Sequence, residues 1–239
     1  MSALIVNDYF LQVPCLDSAE CIRAGKLVER IRSNWISRYK LHTVGTTTHM
    51  DWRHGPPEPS VVEEMNRSNL LIRGCFAFVF TKIKSELESL LNAPVKLVDW
   101  IPVPGCMIYN GPVVGKIEDR SHIDLQFELH DWSRFKDIDF SNPITFTLPI
   151  RLPSYSSGVK FWPRRVHSKY SEEHQIDQFI KFVDPGVERF VPYKVGMMVV
   201  HPGTYLHAIE NDEAGIDETP RITLQGHALL CDGVWRLYW

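Results

Sequence analysis

The sequence predicts a β-dominated α+β fold: a double-stranded β-helix, or jelly-roll, core behind N-terminal supporting helices. Three observations predict it. Apolar residues recur at helical spacing up to Pro94. From Val95 onward the segments become short, β-branched and aromatic, and are separated by Pro or Gly. The chain has 239 residues, and all-β barrels of about 200–250 residues often form one domain. One domain over residues 1–239 is expected, helical to about residue 94 and jelly-roll from about residue 95.

The helical elements carry their own start and stop signals. Asp17 followed by Glu20 reads as a capping box. Ile22, Leu27, Val28 and Ile31 then form an apolar stripe, predicting a helix near 17–34. Residues 40–59 are polar and rich in Pro and Gly, which predicts a loop. Ser60 is a candidate N-cap, with Glu63 and Glu64 in the first turn. A third helix is expected at about 72–92, stopped by Pro94. The expected strands are 96–100, 106–110, 122–129, 144–150, 159–162, 179–183, 196–201, 205–209, 221–230 and 234–238. So many short strands need two packed sheets, the jelly-roll solution.

Composition excludes several classes. Net charge is −3 with mixed signs, so the basic field that nucleic-acid binding requires is missing. The dense basic cluster Lys160–Arg165 is either a solvated turn or a group near a substrate. Five cysteines without a CxxC pair argue against a disulfide framework or a thiolate zinc site. The segment MSALIVNDYF lacks the basic start and long apolar run of a signal peptide. No apolar stretch approaches the roughly 18 residues of a membrane span. A cytoplasmic protein without nucleic-acid or membrane partners is expected, acting on a small molecule. Oligomeric state is not legible.

The chemistry concentrates in three places. In Ser121-His122-Ile123-Asp124-Leu125 the residues alternate, so an extended backbone turns His122 and Asp124 to one side. An imidazole and a carboxylate side by side supply two-thirds of a 2-His-1-carboxylate triad, which leaves open positions on Fe(II). A second His-x-Asp, His49-Met50-Asp51, lies in the polar loop, where no alternation fixes both side chains on one face. The third ligand must come from a distant strand. His207, after the Pro202-Gly203 turn, is preferred over His201, before it. Farther on, Arg221 and Thr223 share one face of a strand, a guanidinium fork and a hydroxyl suited to a carboxylate. His227 has the same parity and could line the same cavity, whereas His130 reads as an ordinary polar position.

His-x-Asp, a distant His in a Pro-Gly-x-x-x-His-Ala-Ile context, and then Pro-Arg-Ile-Thr-Leu together resemble the Fe(II)/2-oxoglutarate-dependent dioxygenase superfamily over about residues 72–230. The resemblance implies iron held by His122, Asp124 and His207. It implies 2-oxoglutarate gripped at its far carboxylate by Arg221 and Thr223, with Tyr109 beside it. It further implies use of O2, with oxidative decarboxylation to succinate and CO2. Related halogenases carry Ala or Gly where this chain has Asp124, so hydroxylation, desaturation or ring formation is implied instead. The long interval from Asp124 to His207 implies an insertion around Ser168–Gln178. The acidic loop 210–220 is read as a solvated turn in preference to a lid. Arg151, Lys160, Trp162 and Arg164 are the candidate substrate residues, suited to a carboxylate-bearing substrate such as an amino acid or related metabolite.

Two other readings compete. A cupin-type metalloenzyme without 2-oxoglutarate would leave Arg221 and Thr223 unexplained, and cupins favour His-x-His pairs, which are missing. A metal-free jelly-roll binding module would make the triad a coincidence.

Overall fold

The computed structural model describes residues 10–39, 41–52, 57–110, 121–154, 157–165, 188–211 and 219–239. Strand β1 (Leu11–Pro14) precedes helix α1 (Ser18–Arg30) and a 3-10 turn, Arg32–Asn34. Then come β2 (Ile36–Ser37), β3 (His42–Val44), α2 (Thr48–Asp51), α3 (Pro59–Cys75) and α4 (Ala77–Leu91). The rest is β-rich: β4 (Val95–Leu97), β5 (Gly105–Tyr109), a 3-10 turn Gln126–Leu129, β6 (Ile138–Arg151), β7 (Ser157–Arg165) and β8 (Arg189–Pro192). It ends with β9 (Met197–Pro202), β10 (Tyr205–Asn211), β11 (Arg221–Cys231) and β12 (Val234–Tyr238).

The large sheet runs β1-β9-β6-β11-β5-β3-β2, with β12 beside β11 and β4 beside β12. A smaller sheet, β10-β7-β8, forms the second layer. The fold is α+β and β-dominated, as the sequence predicts. Among the described residues every strand pairing is antiparallel except β4 with β12.

The large sheet separates two environments through its period of two. On β6, Ile144, Phe146 and Leu148 face the helices, and on β11 Ile222, Leu224 and Ala228 do the same. They pack with Val28 of α1, Ile72 of α3 and Val79, Ile83 and Leu87 of α4 into the main core. The intervening residues Thr145, Thr147, Gln225 and His227 line a cavity on the other face. One strand thus gives apolar side chains to the core and polar side chains to the cavity.

The capping box at Asp17 forms as read: Asp17 Oδ1 accepts from the Glu20 N–H at 2.8 Å, and Glu20 Oε2 accepts from the Asp17 N–H at 3.0 Å. The helix face differs from expectation. Ile22 is 60% exposed, and the buried stripe is Cys21, Ala24, Gly25 and Val28. Small residues win because α1 lies close to the sheet: a Cβ on Gly25 would sit 3.1 Å from the Arg151 guanidinium. Ser60 is not the cap of α3; Glu58 holds that position, with Pro59 in the first turn. The expected helix 72–92 is α4 and starts later, at Ala77: residues 72–75 still belong to α3, and the two helices meet at the buried Phe76 (φ −109°, ψ 21°). Asn92, left-handed at φ 50°, ends α4 just before Pro94.

The N-terminal third is not purely helical. β1 pairs with β9, and β3 pairs with β5, so this segment widens the large sheet at both edges. These strands are too short to show periodicity and exist through their pairing. The expected strand 122–129 is also corrected: His122 makes a single bridge and Gln126–Leu129 is a 3-10 turn. The expected strand 179–183 and the insertion around 168–178 lie outside the described residues, as do residues 212–218 of the acidic loop. All five cysteines are free. Among the described residues, no helix is long and apolar enough to cross a membrane.

Candidate metal centre

His122 and His207 are brought together by backbone pairing. The His122 N–H donates to the His207 carbonyl, and the His207 N–H to the His122 carbonyl, both at 2.9 Å. Such a reciprocal pair sets two residues directly opposite each other. Two residues on, the Asp124 N–H donates to the Gly203 carbonyl at 2.7 Å. Gly203 permits this approach, since a Cβ there would lie 2.8 Å from the Asp124 carbonyl oxygen. Although 121–125 is not a ladder strand, its alternation survives: Ile123 and Leu125 enter a second apolar cluster with Phe127, Trp132 and Leu206. His122 and Asp124 turn the other way, to the cavity.

The ligand atoms of His122, Asp124 and His207 all lie within 4.8 Å of one another. His207 Nε2 is 3.3 Å from Asp124 Oδ2, and His122 Nε2 is 3.8 Å from Asp124 Oδ1. Asp124 and His207 are buried, whereas the His122 side chain is 46% exposed, so the cluster opens on the His122 side. His207 Nδ1 donates to the Tyr205 carbonyl at 2.9 Å, which leaves Nε2 toward Asp124: protonated it donates to the carboxylate, and deprotonated it offers its lone pair to a metal. Burial alone would raise the Asp124 pKa, but the charge and hydrogen bond of His207 outweigh it and hold the carboxyl well below its usual range. For His207, burial acts downward, and Asp124 more than reverses it, giving a raised pKa. The donor set, one anionic oxygen and two imidazole nitrogens on one side, fits a divalent transition metal with open positions.

Both carboxylate oxygens of Asp124 are held. Gln126 Nε2 donates to Oδ1 at 3.1 Å, and the Thr145 hydroxyl donates to Oδ2 at 2.8 Å. Thr145 Oγ1 also lies 3.1 Å from His227 Nδ1. The hydroxyl has one proton and gives it to the carboxylate, so His227 Nδ1 must be the donor in that second bond. Burial lowers the His227 pKa, keeping the ring neutral with its lone pair on Nε2.

The expected anion-binding residues lie on the large sheet, on β11 and its neighbour β5. Arg221 is 1% exposed, and its guanidinium carbon lies 4.0 Å from the centre of the Tyr109 ring. Arg221 and Tyr109 are register partners on β11 and β5. Thr223 is fully buried on the same face and accepts from Gln225 Nε2 at 3.1 Å. The Thr147 hydroxyl bonds to Tyr193, whose phenol burial pushes up to about 12 while nearby Arg221 acts downward. Tyr109, Thr147, Tyr193 and Gln225 all line the cavity that holds the triad, of about 440 Å³.

The expected substrate residues do not join it. Arg151 pairs with Glu29 of α1 at 2.6 Å. Lys160 pairs with Glu188 and Glu210 at 2.8 and 2.9 Å. Trp162 is buried in the second apolar cluster. Arg164 is on β7, with its side chain outside the described residues. Charged residues near strand ends found carboxylates of their own, which sequence spacing does not reveal. His201 lines the cavity outside the His122, Asp124 and His207 cluster: its ring stacks on Phe10 at 4.2 Å and lies 4.7 Å from the His207 ring, and its Nδ1 donates to the Pro202 carbonyl at 3.0 Å. In the second His-x-Asp, Asp51 takes both Arg38 nitrogens at 2.8 and 2.7 Å, while His49 lines the cavity. Thr145 and Thr147 were overlooked, although their alternation with Ile144, Phe146 and Leu148 is visible in the sequence. Nothing local marked His49, Tyr193 or Trp239 as cavity residues.

No protein-family model matches the chain, and no curated protein matches it. Solved structures do. The N-substituted L-amino acid dioxygenase of Burkholderia ambifaria matches with a TM-score of 0.53 at 12% identity, over 95% of this chain and 85% of that one. Its complex with alpha-KG (2-oxoglutarate) matches with a TM-score of 0.50 at 11% identity, over the same 95% and 85%. EvdO2 of Micromonospora carbonacea var. aurantiaca matches with a TM-score of 0.53 at 12% identity, over 93% and 86%. At these identities the likeness is one of fold: this chain has the fold of those proteins along nearly its whole length.

Proposed function

We propose that this chain is a non-haem Fe(II) oxygenase that uses 2-oxoglutarate and O2 to oxidise a small molecule by hydroxylation, desaturation or ring formation. The observation that carries the reading is the convergence of His122, Asp124 and His207 on one point of the cavity. The buried Arg221 on β11, register partner of the cavity residue Tyr109, supports the choice of co-substrate. A shared fold with a dioxygenase that binds alpha-KG adds to it.

His122, Asp124 and His207 would hold the iron. Thr145 and Gln126 fix the two oxygens of Asp124, so the carboxylate meets a metal pre-oriented. Arg221, Thr223 and Tyr109 would receive the far carboxylate of 2-oxoglutarate, a fork and a hydroxyl against an anion in a site shielded from water. The chemistry supplied when ferrous iron is bound is O2 activation coupled to decarboxylation of the oxo acid. A cavity of about 440 Å³ is in the range of small-molecule sites. The amino-acid-like substrate expected from the sequence loses two of its cationic anchors, since Arg151 and Lys160 are paired to carboxylates and do not line the cavity.

The test is anaerobic addition of Fe(II) and then 2-oxoglutarate to the metal-free protein. A weak visible charge-transfer band that is missing in His207→Ala supports the reading. Iron binding without a band favours a metalloenzyme that does not use 2-oxoglutarate, and lack of iron binding removes the metal centre altogether.

A further inference from the structure

Asp124 reaches across the cavity through a chain of two hydrogen bonds. Its Oδ2 accepts from Thr145 at 2.8 Å, and Thr145 Oγ1 accepts from His227 Nδ1 at 3.1 Å. The two outer residues come from neighbouring strands: Thr145 on β6 and His227 on β11 are register partners. The chain is therefore held by a backbone ladder and not by loop geometry. It is also directional. The ionised carboxylate only accepts, the hydroxyl can pass one proton, and the imidazole must donate from Nδ1. Thr145 is the hydroxyl donor to Oδ2, which also faces His207 Nε2 at 3.3 Å, while Oδ1 has its own donor in Gln126.

We propose that Thr145 and His227 are positioning residues for the metal centre. They fix the plane of the Asp124 carboxylate from the Oδ2 side, so that Asp124 presents itself to a metal already oriented. The inference rests on the metal-centre reading above. Outer partners of a ligand typically contribute about 10–100-fold in metal affinity, and a hydrogen bond feeding another strengthens it. Loss of Thr145 therefore costs more than loss of His227, which acts through it. The same chain leaves His227 Nε2 as an acceptor at the cavity wall, so any substrate group laid against it must donate.

The probe is Co(II) alone, titrated into the metal-free protein and read by its visible ligand-field bands. Thr145→Val keeps the β-branched shape and removes the hydroxyl. The expected result is a Kd for Co(II) weakened by about 10–100-fold with altered bands, in a protein that still unfolds cooperatively without metal, and recovery in Thr145→Ser. His227→Phe tests the chain from its far end and is expected to weaken binding less than Thr145→Val, with His227→Asn, which restores a donor near the Nδ1 position, recovering most of the loss. Wild-type Kd and bands in Thr145→Val overturn the proposal. Wild-type behaviour in His227→Phe removes its second link. If the wild-type protein itself does not bind Co(II), the metal-centre reading fails and takes this inference with it.

Discussion

The chain contains the same three-residue pattern twice, His49-Met50-Asp51 and His122-Ile123-Asp124, and the fold uses them in opposite ways. The first lies in the short helix α2, where residues two apart point about 200° from each other. His49 therefore faces the cavity while Asp51 turns back to the Arg38 fork and the Thr47 N–H. The second lies on extended backbone pinned to β10 and to the Gly203 turn. There the same spacing puts both side chains on one side, facing His207. Two potential ligands become a site or a cap and a wall according to backbone conformation alone.

The sharpest way to break the comparison is to remove one carboxylate at a time. Asp124→Ala is expected to weaken Fe(II) or Co(II) binding by more than about 100-fold, beyond the range of an outer partner, whereas Asp51→Ala leaves the metal Kd unchanged in the same titration. Next in size, Arg221→Lys trades a fork for a point charge. It is expected to raise the 2-oxoglutarate concentration needed for half of the charge-transfer band by about 10–100-fold, the equivalent of one or two charge-assisted hydrogen bonds, with metal affinity intact. An equal loss of metal binding in Arg221→Lys would mean that the two parts of the site are not separable.

Asp51→Ala should instead appear in stability. It removes a partly buried bidentate pair with Arg38 and a backbone acceptor, for an expected loss of about 2 kcal/mol in chemical denaturation. A loss near zero would make α2 merely a solvated turn. The smallest effect concerns pH. Burial pushes His49 down to about 4, and His130, bonded to Thr48 beside it, likewise to about 4. Both lie below the ordinary 6.5 of an unfolded histidine. On acidification the unfolded chain therefore takes up protons first. Stability is complete above about pH 6.5 and falls as pH drops toward 4, by about 1.4 kcal/mol per histidine for the first unit. Denaturation of His130→Gln across that window should show a shallower slope, and an unchanged slope would contradict a buried neutral His130.

Much of this was legible where local chemistry is strong. The Asp17–Glu20 box placed α1, Pro94 ended the helices, and β5, β9, β10, β11 and β12 lie within a residue or two of their expected spans. That His122 and Asp124 share one side, and Arg221 and Thr223 one face, could be read because a parity of two survives in extended backbone whether or not it becomes a ladder. β1 to β3 could not, because two to four residues carry no period and are strands only by virtue of their partners. Arg151 and Lys160 were misplaced for a related reason: a cation's partner is chosen in space, and theirs are Glu29, Glu188 and Glu210.

By itself, then, the sequence determined which side of each strand is polar and which residue types could ligate a metal, since alternation and side-chain chemistry are local properties. Tertiary structure alone decided that His122 would face His207, that Thr145 would link Asp124 to His227, and that Asp51 would be spent on Arg38. Each of those pairings joins residues distant in sequence or set by local backbone conformation, and each depends on hydrogen-bond geometry at about 3 Å, which no spacing along a chain can encode.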